Sequence, residues 1–172
     1  MRTAWTGLFA LVLFGVQSPD IHFVPTTGGI VDAMLTLARV TADDVVYDLG
    51  SGEGDIVIRA AEKFGARGVG VEIDAQLVKK AGERARKRGV ADRVTFKQGD
   101  LFKADISDAT VVAIYLSPSI NRRLAPKLKR ELKPGARVVS HRFDMGDWRP
   151  DRERSVGGRK VFLWVIPDSG VR

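Results

Sequence analysis

A chain of 172 residues has room for one packed domain, since domains most often run to about 100–150 residues. Its composition, 44% hydrophobic and 28% charged, is globular rather than disordered, and the lack of cysteine excludes disulfides, thiolate metal sites and cysteine nucleophiles. The net charge of +7 gathers in two runs, Lys79 to Arg93 and Arg122 to Arg137, which could meet an anionic partner but do not name one. Leu77, Ala81 and Ala85, and separately Ile120, Leu124 and Leu128, recur at four-residue spacing, so both runs read as the solvated faces of amphipathic helices.

At the N-terminus, Arg2 precedes an almost wholly apolar stretch from Ala4 to Val16, followed by Gln17, Ser18 and Pro19. The pattern is that of a secretory signal with a short apolar region, although Pro19 argues against cleavage there. A helix of that length reaches about 20 Å, short of the roughly 20 residues a bilayer crossing needs. Residues 1–20 are therefore expected to form a signal-like leader or anchor, with membrane contact through residues 1–18, and residues 21–172 a single domain that acts as a monomer.

Beyond Asp20 an extended piece reaches Val24-Pro25-Thr26-Thr27-Gly28-Gly29, and Ile30, Val31, Met34, Leu35 and Ala38 mark a helix. Val45 to Leu49 is a first strand that ends in a glycine-rich turn, and a helix from Asp55 to Phe64 closes on Gly65. Gly68 to Ile73 is a second strand, Asp74 caps the next helix, and Gly89 ends it. Val94 to Lys97 and Thr110 to Leu116 are strands three and four, the latter apolar enough to be buried on both faces. From Ser119 to Leu132 the pattern is helical, with a kink or a new helix start at Pro126. Arg137 to Ser140 is strand five, and a hairpin follows from Arg154 to Val156 and Lys160 to Ile166 around Gly157-Gly158. Strands alternating with helices, then a hairpin, imply an α/β fold with a mostly parallel sheet.

The first strand delivers Asp48-Leu49-Gly50-Ser51-Gly52-Glu53-Gly54 into a helix N-terminus. Dinucleotide-binding turns follow G-x-G-x-x-G/A, but the last position is Asp55 when counted from Gly50 and Val57 when counted from Gly52. Neither frame fits. The acidic head and the extra glycine suit a ligand without a pyrophosphate, such as S-adenosylmethionine. Glu72, at the end of strand two, can accept from both hydroxyls of a ribose. After strand three, Asp100 could accept from an adenine amino group while Leu101 or Phe102 covers the ring. Three acidic groups at the carboxyl ends of successive strands fall where open α/β sheets bind ligands.

Through DLGSGEG, Glu72, GDLF and LKPGARVVS, the chain resembles the class I methyltransferases. More narrowly, VPTT at 24–27, VVYDLGSGEGDIVIRAA at 45–61, DISDATVV at 105–112 and ELKPGARVVSHRF at 131–143 are similar to the archaeal protein-lysine methyltransferases, whose eukaryotic relatives act on a lysine of the ATP synthase c-subunit. The resemblance runs from Phe23 to Ile166 and leaves out the apolar leader. It implies a Rossmann-like seven-strand sheet ordered 3-2-1-4-5-7-6 with strand seven antiparallel and helices on both faces. Phe143 to Asp151 is too short for the helix that usually follows strand five. The two basic helices then lie on opposite faces, which counts against nucleic acid as the partner.

The resemblance also implies S-adenosyl-L-methionine as cofactor, held by Asp48, Gly50, Ser51, Gly52, Gly54, Glu72, Asp100 and Leu101, with Thr26 and Thr27 near the methionine carboxylate. No metal is required for an in-line methyl transfer. The partner is a protein with a target lysine, and a pocket with Tyr115 in its wall and Phe102, Phe143 and Trp148 behind would ease removal of the lysine proton. Ser117 could bind the amine, although it also suits a helix N-cap, and His141 could accept a proton. Asp144 and Asp147 could attract the cationic lysine. Tyr115-Leu116-Ser117-Pro118 lacks the leading Asp or Asn that enzymes methylating adenine or glutamine amides carry there, which favours lysine. The rival expectations are a small-molecule methyltransferase on the same scaffold, and a basic nucleic-acid or membrane-surface binding protein with a vestigial cofactor site. Cytoplasmic supply of the cofactor and a signal-like leader point to different compartments.

Overall fold

The computed structural model describes residues 28–168; the leader and Val24-Pro25-Thr26-Thr27 lie outside the described residues. The elements run α1 (Gly28–Leu37), β1 (Val45–Leu49), α2 (Asp55–Phe64), β2 (Arg67–Glu72), α3 (Ala75–Lys87), β3 (Val94–Gln98), β4 (Val111–Ile114), α4 (Pro118–Glu131), β5 (Arg137–His141), β6 (Arg152–Val156) and β7 (Arg159–Val165). They form a seven-stranded sheet in the order β3-β2-β1-β4-β5-β7-β6. The five strands from β3 to β5 are parallel, and β7 runs antiparallel to β5 and β6. The expected order and the antiparallel strand are both present.

The central strands β1 and β4 are buried along their whole length, as their unbroken apolar runs require. Alternate residues feed opposite faces. Tyr47 and Leu49 of β1 pack with Leu124, Ala125 and Leu128 of α4, whereas Val46 packs with Val31, Met34 and Leu35 of α1 and Ile56 and Ala60 of α2. Ala85 of α3 joins Val57, Ile58 and Ala61 of α2. The basic helices α3 and α4 thus cover opposite faces, and their cations form no continuous stripe.

Local chemistry sets the helix ends. The Asp74 carboxylate accepts from Gln76 N at 2.7 Å and caps α3. Gly65, at φ 70°, closes α2 by donating to Ala61 O at 3.1 Å. Two expectations are corrected. Gly28 and Gly29 open α1 rather than ending an extended piece, at helix positions whose N–H groups have no intrahelical partner in any case. No new helix starts at Pro126. The proline lies inside a continuous α4 on the exposed side, where water can satisfy the carbonyl that its missing N–H frees.

At the amino ends of the parallel strands, buried Asp44 accepts from Thr41 N at 2.8 Å and Thr110 Oγ1 at 2.6 Å, and pairs with Arg137. Thr110 Oγ1 in turn accepts from Val45 N at 2.9 Å. β4 starts at Val111, one residue after the expected Thr110, which holds this knot at the strand's entry. The knot ties β1, β4 and β5 together at one end of the sheet and leaves the carboxyl ends free for chemistry.

Candidate active site

The turn after β1 is held by backbone. Gly50 N and Ser51 N both donate to Val71 O, at 2.8 and 3.0 Å, and Gly54 N donates to Ser51 O at 2.8 Å. Gly50 and Gly54 take left-handed φ values of 84° and 82°. A Cβ at Gly50 would stand 2.9 Å from Leu116 Cδ2, and one at Gly54 would stand 2.5 Å from Phe96 Cε1. Glycine is therefore required at both positions by conformation and by space. Gly54 caps α2 without a side chain, so the first-turn N–H groups of that helix stay available beside the turn.

Glu72 is drawn into the turn. Its Oε2 accepts from Gly52 N at 2.9 Å and its Oε1 from Asp74 N at 3.0 Å, leaving one lone pair free on each oxygen of a carboxylate held in place. Asp48 is 3% exposed and, among the described residues, has no cation paired with it. Burial, and then the negative charges of Asp55 and Glu72, push its carboxyl up to about 8. Ser51 Oγ is buried with no hydrogen-bond partner among the described residues. Beyond β3, Asp100 Oδ1 accepts from Phe102 N at 2.9 Å, an Asx turn that half-buries Leu101 and Phe102. The Arg123 guanidinium of α4 stands 4.3 Å from the Phe102 ring centre.

The carboxyl ends of β4 and β5 carry a second group. The Tyr115 and His141 ring centres are 4.2 Å apart at 42°. His141 is 1% exposed, and both ring nitrogens are buried without a partner among the described residues. Burial, and then Arg159 and Arg142, hold its imidazole down at about 4, so it is neutral at physiological pH. Ser117 caps α4, accepting from Ile120 N at 3.4 Å, and its hydroxyl lies 3.0 Å from Ser119 Oγ. Trp148, expected behind Tyr115, packs on Trp164, with ring centres 5.8 Å apart and Lys129 Nζ over its ring. Asp144 accepts from Gly146 N at 3.0 Å as a turn residue, and Asp147 is exposed.

Sequence reasoning missed Asn121. It is fully buried on α4, and its Nδ2 donates to Ser140 Oγ at 3.2 Å and to Phe143 O and Asp144 O at 3.1 Å each. Ser140 Oγ donates to Phe143 O at 2.6 Å. Between them Arg142 adopts φ 70°, a conformation that costs a residue with a Cβ about 1–2 kcal/mol and persists only where its surroundings enforce it. The signal was present in the sequence: Asn121, Leu124, Ala125 and Leu128 share the buried i, i+3, i+4, i+7 stripe.

The structure thus brings Asp48, Gly50, Ser51, Gly52, Gly54 and Glu72 into one cluster, places Asp100 and Leu101 at the next strand end, and pairs Tyr115 with His141. Thr26 and Thr27 lie outside the described residues.

A family model described as the ANTKMT methyltransferase domain matches residues 48–152. The chain is 43% identical over 153 residues to a protein-lysine N-methyltransferase from Saccharolobus islandicus, covering 86% of this chain and 95% of that protein. It is 35% identical over 152 residues to the adenine nucleotide translocase lysine N-methyltransferase of Mus musculus, covering 88% of this chain and 66% of that longer protein. It also superimposes, with a TM-score of 0.83 and 60% identity, on a crystal structure described as an RNA methyltransferase from Salinibacter ruber in complex with S-adenosyl-L-homocysteine, covering 85% of this chain and 95% of that one.

Proposed function

The chain belongs to the ANTKMT methyltransferase domain family, and from that premise we propose that it uses S-adenosyl-L-methionine to N-methylate lysine side chains of a protein. The residues around the glycine turn suit that cofactor. Asp48 is a buried carboxyl, held protonated until a cationic group pairs with it and with no such partner among the described residues, Glu72 keeps two free lone pairs, and Asp100 follows the end of the next strand. This donor and acceptor set fits a ligand with cationic groups and ribose hydroxyls rather than a pyrophosphate. Glu72 would take the ribose, Asp100 and Leu101 the adenine, and Asp48, Gly50, Ser51, Gly52 and Gly54 the remainder, with Thr26 and Thr27 beside the methionine carboxylate. When bound, the cofactor supplies an electrophilic methyl group on a sulfonium.

The work left to the chain is to bring a neutral amine in line with that methyl and exclude water. A lysine with its ordinary pKa near 10.4 loses its proton at neutral pH for about 4–5 kcal/mol. The aromatic wall of Tyr115 and His141 lowers that cost by disfavouring the charged form. The His141 imidazole is held neutral and its ring nitrogens are buried, so it serves as uncharged wall behind Tyr115 rather than as a direct partner of the amine. Held as low as about 4, it is a poor store for the proton, which leaves to solvent. Ser117 can offer its hydroxyl at the mouth while capping α4.

The observation that carries lysine over a planar amine is the end of β4. Tyr115-Leu116-Ser117-Pro118 presents no carboxylate or carboxamide, and the buried polar group beside Tyr115 is a neutral imidazole. The similarity to the Salinibacter ruber protein, described as an RNA methyltransferase, keeps RNA as a second acceptor class, against which stand the opposed faces of α3 and α4. Incubating the chain with methyl-labelled S-adenosylmethionine and, separately, the protein and RNA fractions of a cell extract tests the choice. Label in the protein fraction supports lysine, and label in RNA alone overturns it. A monomeric state, a single domain over residues 21–172 and membrane contact through residues 1–18 belong to the same proposal, and light scattering and vesicle sedimentation test the first and last.

A further inference from the structure

Among the described residues His141 has little direct support. Both ring nitrogens are buried without a partner among the described residues, and Arg142 immediately after it is in a left-handed conformation. Charge does not hold it either. Facing it are Tyr115 from β4, Arg142 at the end of its own strand and Arg159 from β7, and both arginines repel a protonated imidazole. The restraint comes from α4. Asn121 Nδ2 reaches Ser140 Oγ just before His141 and the carbonyls of Phe143 and Asp144 just after it. Its orientation is fixed, because two of those partners are carbonyls that can only accept. Asn121 Oδ1 is left buried with no partner among the described residues, so this polar side chain is retained in a helix core for the donors it supplies.

We propose that Asn121 is a positioning residue for the methyl acceptor, clasping the loop after β5 so that His141 stays against Tyr115 as one wall of the acceptor pocket. The inference rests on the lysine assignment for its functional meaning and on the geometry alone for the clasp. Asn121 lies one helical turn past Ser117, so the same helix start sets both the end of β4 and the loop after β5. The cofactor residues on β1 and β2 belong to a separate network through Val71 O and Gly52 N. The clasp should therefore act on the acceptor half of the site.

The test uses the full chain with Asn121→Asp, which keeps the shape and loses the amide donors, Asn121→Ala, and Ser140→Ala, which removes one partner and keeps two. The sequence has two histidines, and His22→Gln assigns the ring resonances. Three results are expected of Asn121→Asp and Asn121→Ala. S-adenosylhomocysteine affinity by calorimetry stays within about twofold, since uncoupled sites are independent. The His141 titration midpoint rises by about one pH unit or more toward an ordinary imidazole. Transfer to poly-L-lysine falls about tenfold or more in kcat/KM for the acceptor, as expected when a reacting group is misplaced. Ser140→Ala should shift the midpoint in the same direction by less.

A folded Asn121→Asp variant with the parent midpoint would overturn the clasp, as would cofactor affinity lost in parallel with transfer. If the parent chain labels neither poly-L-lysine nor extract protein, the lysine assignment falls, and the His141 midpoint still decides the clasp.

Discussion

Gly52 N donates to Glu72 Oε2 at 2.9 Å, so the glycine turn after β1 and the acid at the end of β2 form one unit. A carboxylate already held by two backbone N–H groups can receive ribose hydroxyls without losing side-chain freedom as they bind. Glu72→Ala is expected to weaken S-adenosylhomocysteine binding about tenfold or more, from loss of charge-assisted hydrogen bonds worth roughly 1.5–3 kcal/mol. Calorimetry on the folded variant checks this, and unchanged affinity would remove Glu72 from the site.

Asp48 gives a pH signature. Its folded-state carboxyl is raised to about 8 by burial and then by Asp55 and Glu72, whereas in the unfolded chain it titrates near 3.9. The stabilisation this retained proton provides is complete below about pH 4 and is lost as the pH rises toward 8. Asp48→Asn should therefore raise the ligand-free melting temperature most at pH 7.5 and progressively less toward pH 4. It should also weaken binding of the cationic cofactor. Scanning calorimetry across that range is the check, and a gap independent of pH would contradict it.

Gly54→Ala places a Cβ 2.5 Å from Phe96 Cε1 at φ 82°. The left-handed conformation costs about 1–2 kcal/mol and overpacking about 1–3. Urea unfolding is expected to show a loss of about 2–5 kcal/mol.

Thr110→Val tests the opposite end of the sheet. It removes the donor to Asp44 and the acceptor for Val45 N, and should lower stability by about 1–3 kcal/mol. Because the cofactor turn sits at the other end of β1, calorimetric affinity for S-adenosylhomocysteine should stay at the parent value. A variant that lost affinity along with stability would mean the two ends of the sheet are coupled.

The glycine turn and the acids proposed to hold the cofactor stood out in the sequence because that chemistry demands residue types at fixed spacing. Glycines at 50 and 54 answer to left-handed turns, and the acids at 48, 72 and 100 answer to successive strand ends. Strand order followed from family resemblance rather than from periodicity. The acceptor half was less legible. Asn121 lies on the buried i, i+3, i+4, i+7 stripe of α4, yet its partners Ser140, Phe143 and Asp144 are 19 to 23 residues further along the chain, so only the packed fold shows what it holds. Asp44 hid in the same way, as a loop acid whose partners Thr110 and Arg137 are remote in sequence. Trp148 was expected behind the Tyr115 wall from its residue type, and its partner there could not be read: Trp164 Nε1 donates to Trp148 O at 2.8 Å and their rings pack together. Continuity of α4 through Pro126 depended on which side of the helix faces water.

Protein-lysine methylation is tested most directly by incubating the purified full chain with methyl-labelled S-adenosylmethionine and a whole-cell extract. The macromolecular fraction is then hydrolysed and the labelled residue identified by mass spectrometry. Label recovered as ε-N-methylated lysine, and lost in the Glu72→Ala variant, is the expected result. Label recovered in methylated nucleosides, or only in small molecules, would contradict it.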